Sequence, residues 1–415
     1  MRSHTQFSPA PQPCSRTAYN SILTASFTSV GVLREALVVS SSPRPHPHNH
    51  SPVEVDRKLN PVIDSDRLLR NLEKLLLAHA PSGSEQEVDR LFLEFTEGVG
   101  NARWQDAAGS IVIHIQGTSS ASPVAVTAHK DEIAMIVKRV EGGGRLRVRP
   151  VGGLHPWAIG EGPVEILTGS SLVPGVLSIG SKHVSQESPA GTLKEGKALI
   201  WESMWVETKL DEDTLRERGV RIGRKVVLSR SRKPSWRLGD DFLSGYNLDC
   251  RGGVAVLVEA ALFLREHPPA RDVYLVASSE EEIGAHGAVN SVGKLPVDTV
   301  IALDVVPVAE EYQTRNCGDP ILVCKDRLGI YHEGIIDRRE TLAERLDFGV
   351  QTAVLTSYAS DASIAKASGS AARSALIGYP GDNTHGYEIC SVSGLVNTAR
   401  LLLAYLCDAA DEPAA

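Results

Sequence analysis

Four apolar, strand-like runs in this chain are each followed, within a few residues, by side chains that bind metal ions and move protons. They are Val124–Ala128 before His129 and Asp131, Val273–Ala277 before Glu281 and Glu282, Val300–Leu303 before Asp304, and Ala375–Gly378 before His385. In open α/β sheets the ligand site lies outside the carboxyl ends of the strands. We therefore predict that these histidines and carboxylates meet at one edge of a sheet.

Asp249 adds a further carboxylate to this group, because it stands just before a predicted helix over 252–267. Each residue alone is weak evidence, since a lone histidine after a strand is more often a surface residue and the acidic run 280–282 alone would be a solvated charge run. Two histidines and three or more carboxylates held close together suffer like-charge repulsion and desolvation, which a pair of divalent cations offsets. The whole set therefore predicts a metal centre.

The elements that must position these residues have an α/β pattern. Near-continuous apolar strands alternate with amphipathic helices, of which the last is predicted over Val392–Cys407. This pattern indicates a three-layer α/β/α domain with a mostly parallel mixed sheet, built from residues 55–138 and 240–415. Residues 139–239 instead show short β-branched runs separated by glycines, which predicts a small, barrel-like β domain inserted into the chain.

Length and composition exclude several classes of protein. With 415 residues and 42% hydrophobic content, a soluble chain of two domains is expected. The best candidate membrane span, 22–42, is interrupted by Arg34 and Glu35, so no membrane association is predicted. A net charge of −8 gives no general reason to bind nucleic acid. Six cysteines without a CxxC pair predict free thiols in a reducing compartment, hence a cytoplasmic location.

Two segments depart from the globular pattern. Residues 1–54 are rich in Ser, Thr, Pro and His and poor in acids, so we predict a disordered N-terminal tail, which only faintly resembles a transit peptide. Between Arg221 and Arg237 the chain carries seven cations and no acid. Because Trp236 is the only aromatic residue in that stretch, a solvated β-hairpin or a subunit contact is a better interpretation than nucleic-acid binding.

Four motifs that occur in a fixed order give the chain a family resemblance. They are Ala128-His129-Lys130-Asp131-Glu132-Ile133, Leu248-Asp249-Cys250-Arg251-Gly252, Glu281-Glu282-Ile283-Gly284-Ala285-His286-Gly287-Ala288 and Thr384-His385-Gly386. With these motifs the chain resembles the tetrahedral (TET-type) dinuclear metalloaminopeptidases, the glutamyl and deblocking aminopeptidase group, from about Leu68 to Tyr405. The motifs are specific as an ordered set and not one by one.

The resemblance implies a role for each residue of the predicted group. His129 and Asp304 would bind one metal ion, Glu282 and His385 the other, and Asp249 would bridge the two. Two divalent ions per subunit are thus expected, with zinc as the default and cobalt or manganese as alternatives. The resemblance further assigns Glu281 as the general base and Asp131 as the carboxylate behind the imidazole of His129, whose tautomer it fixes.

The implied activity is an aminopeptidase that removes the first residue of peptides with a free N-terminus. A metal-bridging hydroxide would attack the scissile carbonyl, and Glu281 would carry its proton to the leaving amine. The family also implies that the inserted β domain serves oligomerisation, so a homo-oligomer between a dimer and a dodecamer is expected. The alternatives are a related metal-dependent amidohydrolase, carboxypeptidase or glycan hydrolase on the same scaffold, or an inactive metal-binding paralogue.

Several family positions carry other residues in this chain. Cys250 stands where the family usually has a second aspartate, His286 replaces a usual arginine, and Lys130 and Ala134 alter the first motif. The Gly-Gly-Thr-Asp-Ala segment of the family appears as 358–362, which keeps Asp361 but has Tyr, Ala and Ser in place of Gly, Gly and Thr. We expect these departures to affect substrate preference more than metal binding.

Overall fold

The computed structural model describes residues 60–119, 122–169 and 171–409, so the predicted disordered tail, residues 1–54, lies outside the described residues. In chain order the strands are β1 (Ala102–Gln105), β2 (Ile111–Ile115), β3 (Val124–His129), β4 (Ala134–Glu141), β5 (Arg145–Val151), β6 (Gly162–Leu167), β7 (Leu172–Ser178), β8 (Trp205–Glu207), β9 (Lys225–Leu228), β10 (Trp236–Leu238), β11 (Phe242–Gly245), β12 (Val273–Ser278), β13 (Thr299–Pro307), β14 (Ile321–Lys325), β15 (Gln351–Val354), β16 (Arg373–Asp382) and β17 (Glu388–Ser391). The helices are α1 (Ser65–Leu77), α2 (Gln86–Phe95), α3 (Pro156–Ile159), α4 (Pro189–Lys194), α5 (Glu212–Glu217), α6 (Leu248–Glu266), α7 (His286–Val292), α8 (Glu333–Arg345), α9 (Asp361–Ala367) and α10 (Val392–Cys407).

The larger sheet has the strand order β1-β2-β12-β3-β13-β16-β17-β11-β10, with β14 and β15 attached beside β16. Its centre, β12-β3-β13-β16, is parallel, and antiparallel pairs extend it on both sides. Helix α6 contacts α1, α10 and the central strands, while α7 and α9 form a second group on the same strands. The predicted α/β fold class with a mixed sheet is therefore confirmed. The central strands are buried along their length, which explains their near-continuous apolar sequence.

The second unit of structure is a closed antiparallel barrel of β4-β5-β8-β7-β6-β9, so the predicted barrel-like insert is also confirmed. Its core is a separate cluster of buried residues that includes Met135, Leu146, Ile166, Leu177 and Val226. The prediction that this barrel serves oligomerisation stays a prediction. Among the described helices, none is long and apolar enough to cross a membrane.

The first two helices show how local signals compete with tertiary contacts. Helix α1 is capped by Asp64, whose Oδ1 accepts a 2.9 Å hydrogen bond from the backbone of Arg67. Ser84 and Glu87 form a capping-box pattern in the sequence, but α2 begins later, after Glu85, without a side-chain cap. The carboxylate of Glu87 instead accepts hydrogen bonds from the backbone N–H of His79 and the guanidinium of Arg230. The capping-box pattern of the sequence is therefore not formed in the structure.

The basic segment 221–237 is only partly solvated. Lys233 is fully buried, and its Nζ donates to Glu132 Oε2 at 2.7 Å. Arg230 donates to Glu87, and Arg232 donates to Tyr246 Oη at 2.9 Å. The expectation of a solvated segment is thus wrong for Lys233, while Arg230 stays 41% exposed. The alternative of a subunit contact stays a prediction.

Candidate metal centre and active site

The ends of the central strands place the predicted site residues at one edge of the sheet. His129 is the last residue of β3 and pairs in register with Ser278, the last residue of β12, after which the chain continues to Glu281 and Glu282. Asp304 lies on the neighbouring strand β13, and His385 lies in the connection between β16 and β17. Asp249 reaches the same edge from the start of α6.

The two histidines approach opposite oxygens of one carboxylate. His129 Nε2 lies 2.9 Å from Asp249 Oδ1 and 3.8 Å from Asp304 Oδ1. His385 Nε2 lies 3.3 Å from Asp249 Oδ2 and 3.6 Å from Glu282 Oε2. The structure thus brings all five predicted ligands together, with Asp249 between a His–Asp pair and a His–Glu pair.

The carboxylates of this group are buried next to one another, and this surrounding shifts their pKa values. Burial and the neighbouring Asp249 carboxylate raise the pKa of Asp304 to about 7. Burial and the same carboxylate raise the pKa of Glu282 to about 8. For Asp249 burial acts in the same direction, but hydrogen bonds with His129 and His385 outweigh it and leave its pKa below the usual range. Bound cations would stabilise the charged forms of all three groups.

The donor atoms suit a metal ion. Ligand atoms of His129, Asp249 and Glu282 lie within 4.8 Å of one another, and so do those of His129, Cys250 and Asp304. Glu282 Oε1 is buried without a hydrogen-bond partner, which is costly unless something else satisfies it. Imidazole nitrogen and carboxylate oxygen are zinc ligands, so the residues present fit a divalent ion.

Asp131 connects the histidine to the loop after β12. Its Oδ1 lies 3.4 Å from His129 Nδ1 and accepts a 3.0 Å hydrogen bond from the backbone N–H of Glu281. Its Oδ2 accepts from Ser82 Oγ at 2.7 Å and from the backbone of Glu282 at 3.2 Å. One fully buried carboxylate therefore holds the backbone of the two consecutive glutamates and lies beside the imidazole, whose Nδ1 has no hydrogen-bond partner.

The side chain of Glu281 belongs to the same electrostatic group. Burial is the largest effect on its carboxyl group, and together with the negative charges of Asp304 and Glu282 it raises the pKa of Glu281 well above its ordinary value. The positive charge of His129 opposes this increase without cancelling it. A nearby cation would stabilise the charged form of this carboxyl group. A buried carboxyl group with a strongly raised pKa is a candidate for proton transfer.

The sequence prediction missed Glu388 as part of the site. Its Oε1 accepts a 3.0 Å hydrogen bond from the backbone N–H of His385, and its Oε2 accepts one of 3.0 Å from the backbone N–H of Asp249. The side chain is almost fully buried on β17. One carboxylate thus fixes the segments that carry two predicted ligands. Its position three residues after His385 is the signal that could have drawn attention to it.

The barrel side of the site contributes a backbone group. His385 Nδ1 donates to the carbonyl oxygen of Gly153 over 3.1 Å, so Nε2 is the nitrogen left facing the carboxylates. A Cβ atom on Gly153 would lie 2.6 Å from the His385 ring, which explains why glycine occupies this position. The contact between Gly153 and His385 was not predicted from the sequence.

The departures from the family pattern lie at different distances from this site. Cys250 is buried, with its Sγ donating to Leu303 O at 3.2 Å. Tyr358 Oη donates to Val305 O at 3.0 Å, and Asp361 Oδ2 accepts from Ser278 Oγ at 2.5 Å, so both contact the strands that carry site residues. His286 is largely exposed and pairs with Glu280, outside the ligand group.

An open α/β sheet with a buried group of histidines and carboxylates at its carboxyl edge fits the class of metal-dependent enzymes. A family profile of the M42 glutamyl aminopeptidases matches residues 109–401, and the chain belongs to this family. The predicted resemblance is therefore confirmed, and the protein is a peptide hydrolase.

Individual relatives agree with the family. The Escherichia coli protein FrvX, named as an aminopeptidase, is 26% identical over 299 residues, which are 70% of this chain and 81% of FrvX. The lysyl aminopeptidase of Pyrococcus furiosus is 28% identical over 236 residues, which are 56% of this chain and 65% of that enzyme.

Solved structures show the same fold. Aminopeptidase APDkam598 of Desulfurococcus kamchatkensis has a TM-score of 0.75 at 25% identity, over 83% of this chain and 95% of its own. The Pyrococcus horikoshii TET1 peptidase, described as assembling into a tetrahedron or a large octahedral shell, has a TM-score of 0.73 at 20% identity, over 82% of this chain and 99% of its own.

Proposed function

We propose that this protein is a dinuclear-metal aminopeptidase that removes the N-terminal residue of peptides. The observation that carries the proposal is the position of Asp249, whose two carboxylate oxygens face His129 at 2.9 Å and His385 at 3.3 Å. A carboxylate shared in this way is what two adjacent ions require, since each oxygen can bind one of them.

The proposed ligand sets follow from this arrangement. His129 and Asp304 would hold one ion, Glu282 and His385 would hold the other, and Asp249 would be shared by both. Zinc is the proposed metal because nitrogen and oxygen donors suit it, with cobalt or manganese as alternatives that the same donors accept. Asp131 and the Gly153 carbonyl orient the two imidazoles through their Nδ1 atoms.

Glu281 is the proposed proton carrier. When bound, the ions polarise the scissile carbonyl and lower the pKa of an attacking water to about 7. The Glu281 carboxylate takes the proton from that water and gives it to the nitrogen of the leaving amine. The hydrogen bond from the Glu281 backbone to Asp131 holds this residue in place relative to His129.

The restriction to the first residue follows from the acidic groups beside the site. Glu282 and Glu388 line the same pocket as Asp249 and His385, so the acidic side chains there would attract a free α-amino group. A peptide blocked at its N-terminus lacks the positive charge that these groups attract. The proposed substrates are therefore peptides with a free N-terminus.

Assembly and location are proposed from the family. A homo-oligomer held by the barrel is consistent with the assemblies described for the Pyrococcus horikoshii TET1 peptidase. A cytoplasmic location is proposed from the cysteine usage, because the sequence has six cysteines and no CxxC pair.

The test combines metal analysis with paired substrates. The protein is reconstituted with zinc, cobalt or manganese, and bound metal is measured beside hydrolysis of aminoacyl-anilides and of their N-acetylated counterparts. About two ions per chain and hydrolysis confined to the free-amine substrates are expected. Equal hydrolysis of the blocked substrates would point to an amidohydrolase, and fewer than one ion per chain would overturn the dinuclear proposal.

A further inference from the structure

A buried cysteine lies among the proposed ligands of one metal ion. Cys250 directly follows Asp249, and its Sγ, one ligand atom of His129 and one of Asp304 all lie within 4.8 Å of one another. All three side chains are buried. Imidazole nitrogen, carboxylate oxygen and cysteine sulfur are the atoms that bind zinc in proteins. The ligand pair His129–Asp304 therefore has a third candidate donor beside it.

Packing at the start of α6 fixes the position of this sulfur atom. A Cβ atom on Gly253 would lie 2.4 Å from Cys250 Sγ, 3.0 Å from Leu303 O and 3.4 Å from Ala128 Cβ. Glycine at position 253 thus leaves the space that the sulfur atom occupies between α6 and the strands β3 and β13. The thiol is fully buried there and is held beside the ligand cluster.

The hydrogen bonds of Cys250 involve mainly its proton. Its Sγ donates to Leu303 O at 3.2 Å. Tyr379 Oη lies 3.8 Å from Sγ, but the same hydroxyl group donates to Leu248 O over only 2.6 Å and is therefore a weak donor to the sulfur. The described contacts thus leave the lone pairs of the sulfur available to an ion.

We propose that Cys250 is a third protein ligand of the ion that His129 and Asp304 would hold, and that it makes this position select zinc over manganese. The inference rests on the proposed dinuclear centre and extends the ligand set of the same site. Cysteine sulfur is a soft ligand that favours zinc, whereas manganese favours oxygen ligands. The thiol proton is released to solvent when the ion binds, as at other cysteine ligands.

This role gives a meaning to one departure from the family pattern. The family usually has aspartate where this chain has Cys250. A sulfur ligand at this position would change the choice of metal, whereas from the sequence we expected the departures to affect substrate preference more.

The first experiment uses cobalt as a spectroscopic probe. Wild-type protein is loaded with cobalt, and we expect an intense near-ultraviolet band from thiolate-to-cobalt charge transfer. Cys250→Ser should lose this band. Cys390→Ser is the matched control and should keep it, since Cys390 is also a fully buried free thiol but lies on β17, outside the proposed ligand group. Bound cobalt without the band in wild type would overturn the proposal.

The second experiment measures zinc and manganese affinity by competition with a chelator. Loss of a group that only orients a ligand already costs about 10–100-fold in metal affinity, so Cys250→Ser should weaken zinc binding by at least about 100-fold. Manganese binding should change far less, because the oxygen ligands remain. Equal losses for zinc and manganese would show that Cys250 only packs against the site and would overturn the proposal.

Neither readout depends on turnover, so the two proposals fail separately. A charge-transfer band without hydrolysis of any aminoacyl-anilide would support Cys250 as a ligand and contradict the proposed function. Hydrolysis by the cobalt-loaded protein without the band would do the reverse. If Cys250→Ser does not fold, the band is assigned by replacing the other cysteines one at a time. Loss of the band in any of those variants would overturn the role of Cys250.

Discussion

Two buried charged clusters contact the segment 129–132, one through His129 and the other through Glu132, and they differ in how their charge is balanced. The ligand cluster contains Asp249, Glu282 and Asp304, and the paired cluster contains Glu132 and Lys233. The carboxylates of both clusters are shielded from water. Burial alone therefore does not distinguish a structural carboxylate from a candidate metal ligand.

The paired cluster is satisfied by the chain itself. Glu132 accepts hydrogen bonds from Lys233 at 2.7 and 3.0 Å and from the backbone of Ala80 at 2.9 Å. Burial would raise the pKa of Glu132, but the charges of Lys233 and Arg251 outweigh burial and lower it. In the ligand cluster, by contrast, burial and neighbouring carboxylates raise the pKa values of Glu282 and Asp304. The pKa values of Glu282 and Asp304 thus shift in the opposite direction to that of Glu132, whereas Asp249, which has two histidines beside it, shifts in the same direction as Glu132.

The largest effect is expected from Glu281→Gln, which keeps the shape of the side chain and removes its ability to carry a proton. We predict that kcat falls by about 10²–10⁴-fold, the usual contribution of a positioned general base. Bound metal should stay unchanged, because Glu281 is not a proposed ligand. Activity is measured on the preferred aminoacyl-anilide and metal by elemental analysis. Retention of wild-type kcat would remove Glu281 from the mechanism.

Loss of one partner in the paired cluster should reduce stability instead of chemistry. Lys233→Met leaves Glu132 buried without its cation, and removal of one partner of a buried pair costs about 3–5 kcal/mol. The free energy of unfolding is measured in urea. Lys74→Met is the control, since Lys74 is 57% exposed and 3.8 Å from Glu94, and an exposed pair contributes at most about 1 kcal/mol. Equal decreases in the free energy of unfolding for Lys233→Met and Lys74→Met would contradict the stabilising role of the buried Lys233–Glu132 pair.

Bound metal should raise the free energy of unfolding through the ligand cluster, and this increase should not depend on the paired cluster. At about 100 times its dissociation constant, a metal that binds only the folded chain adds about 2.7 kcal/mol to the free energy of unfolding. We expect a chelator to abolish this increment in wild type, and Lys233→Met to retain it, because the affected groups are separate. Glu282→Gln should diminish it. Thermal unfolding with and without zinc provides the measurement, and an unchanged unfolding temperature would argue against a metal centre.

The sequence could predict that Glu282 and Asp304 lie close together because both follow apolar strands, whereas Asp249 was added from its place before a helix. A strand pattern can be recognised from neighbouring residues alone. Because ligand sites lie at the carboxyl ends of parallel strands, the pattern also predicts where these residues lie in the fold. The last helix, Val392–Cys407, was also predicted with its observed bounds, because its apolar face is a periodic local signal.

Contacts between distant residues could not be predicted in this way. The seven cations of 221–237 have the pattern of a solvated segment, and only the fold brings Lys233 to Glu132, 101 residues earlier in the chain. Glu388 contacts Asp249 across 139 residues, and Gly153 contacts His385 across 232. No local periodicity indicates such partners. The Ser84–Glu87 pattern does not form a capping box for the same reason, because the Glu87 carboxylate accepts a hydrogen bond from the distant Arg230.

The smallest effect concerns the backbone carbonyl of Gly153, which accepts a hydrogen bond from His385. Gly153→Ala places a Cβ 2.6 Å from the His385 ring, so the ring must move and its hydrogen bond to the Gly153 carbonyl must lengthen. Changes to groups that orient a metal-bound histidine cost about 10–100-fold in affinity or activity, and we expect the lower end, since the carbonyl itself remains. Metal affinity is measured by competition with a chromogenic chelator. Gly142→Ala is the matched control, because its added Cβ would meet nothing within 4 Å. If both variants bind metal as tightly as wild type, the barrel does not orient His385, and the ligand cluster depends on the α/β part alone.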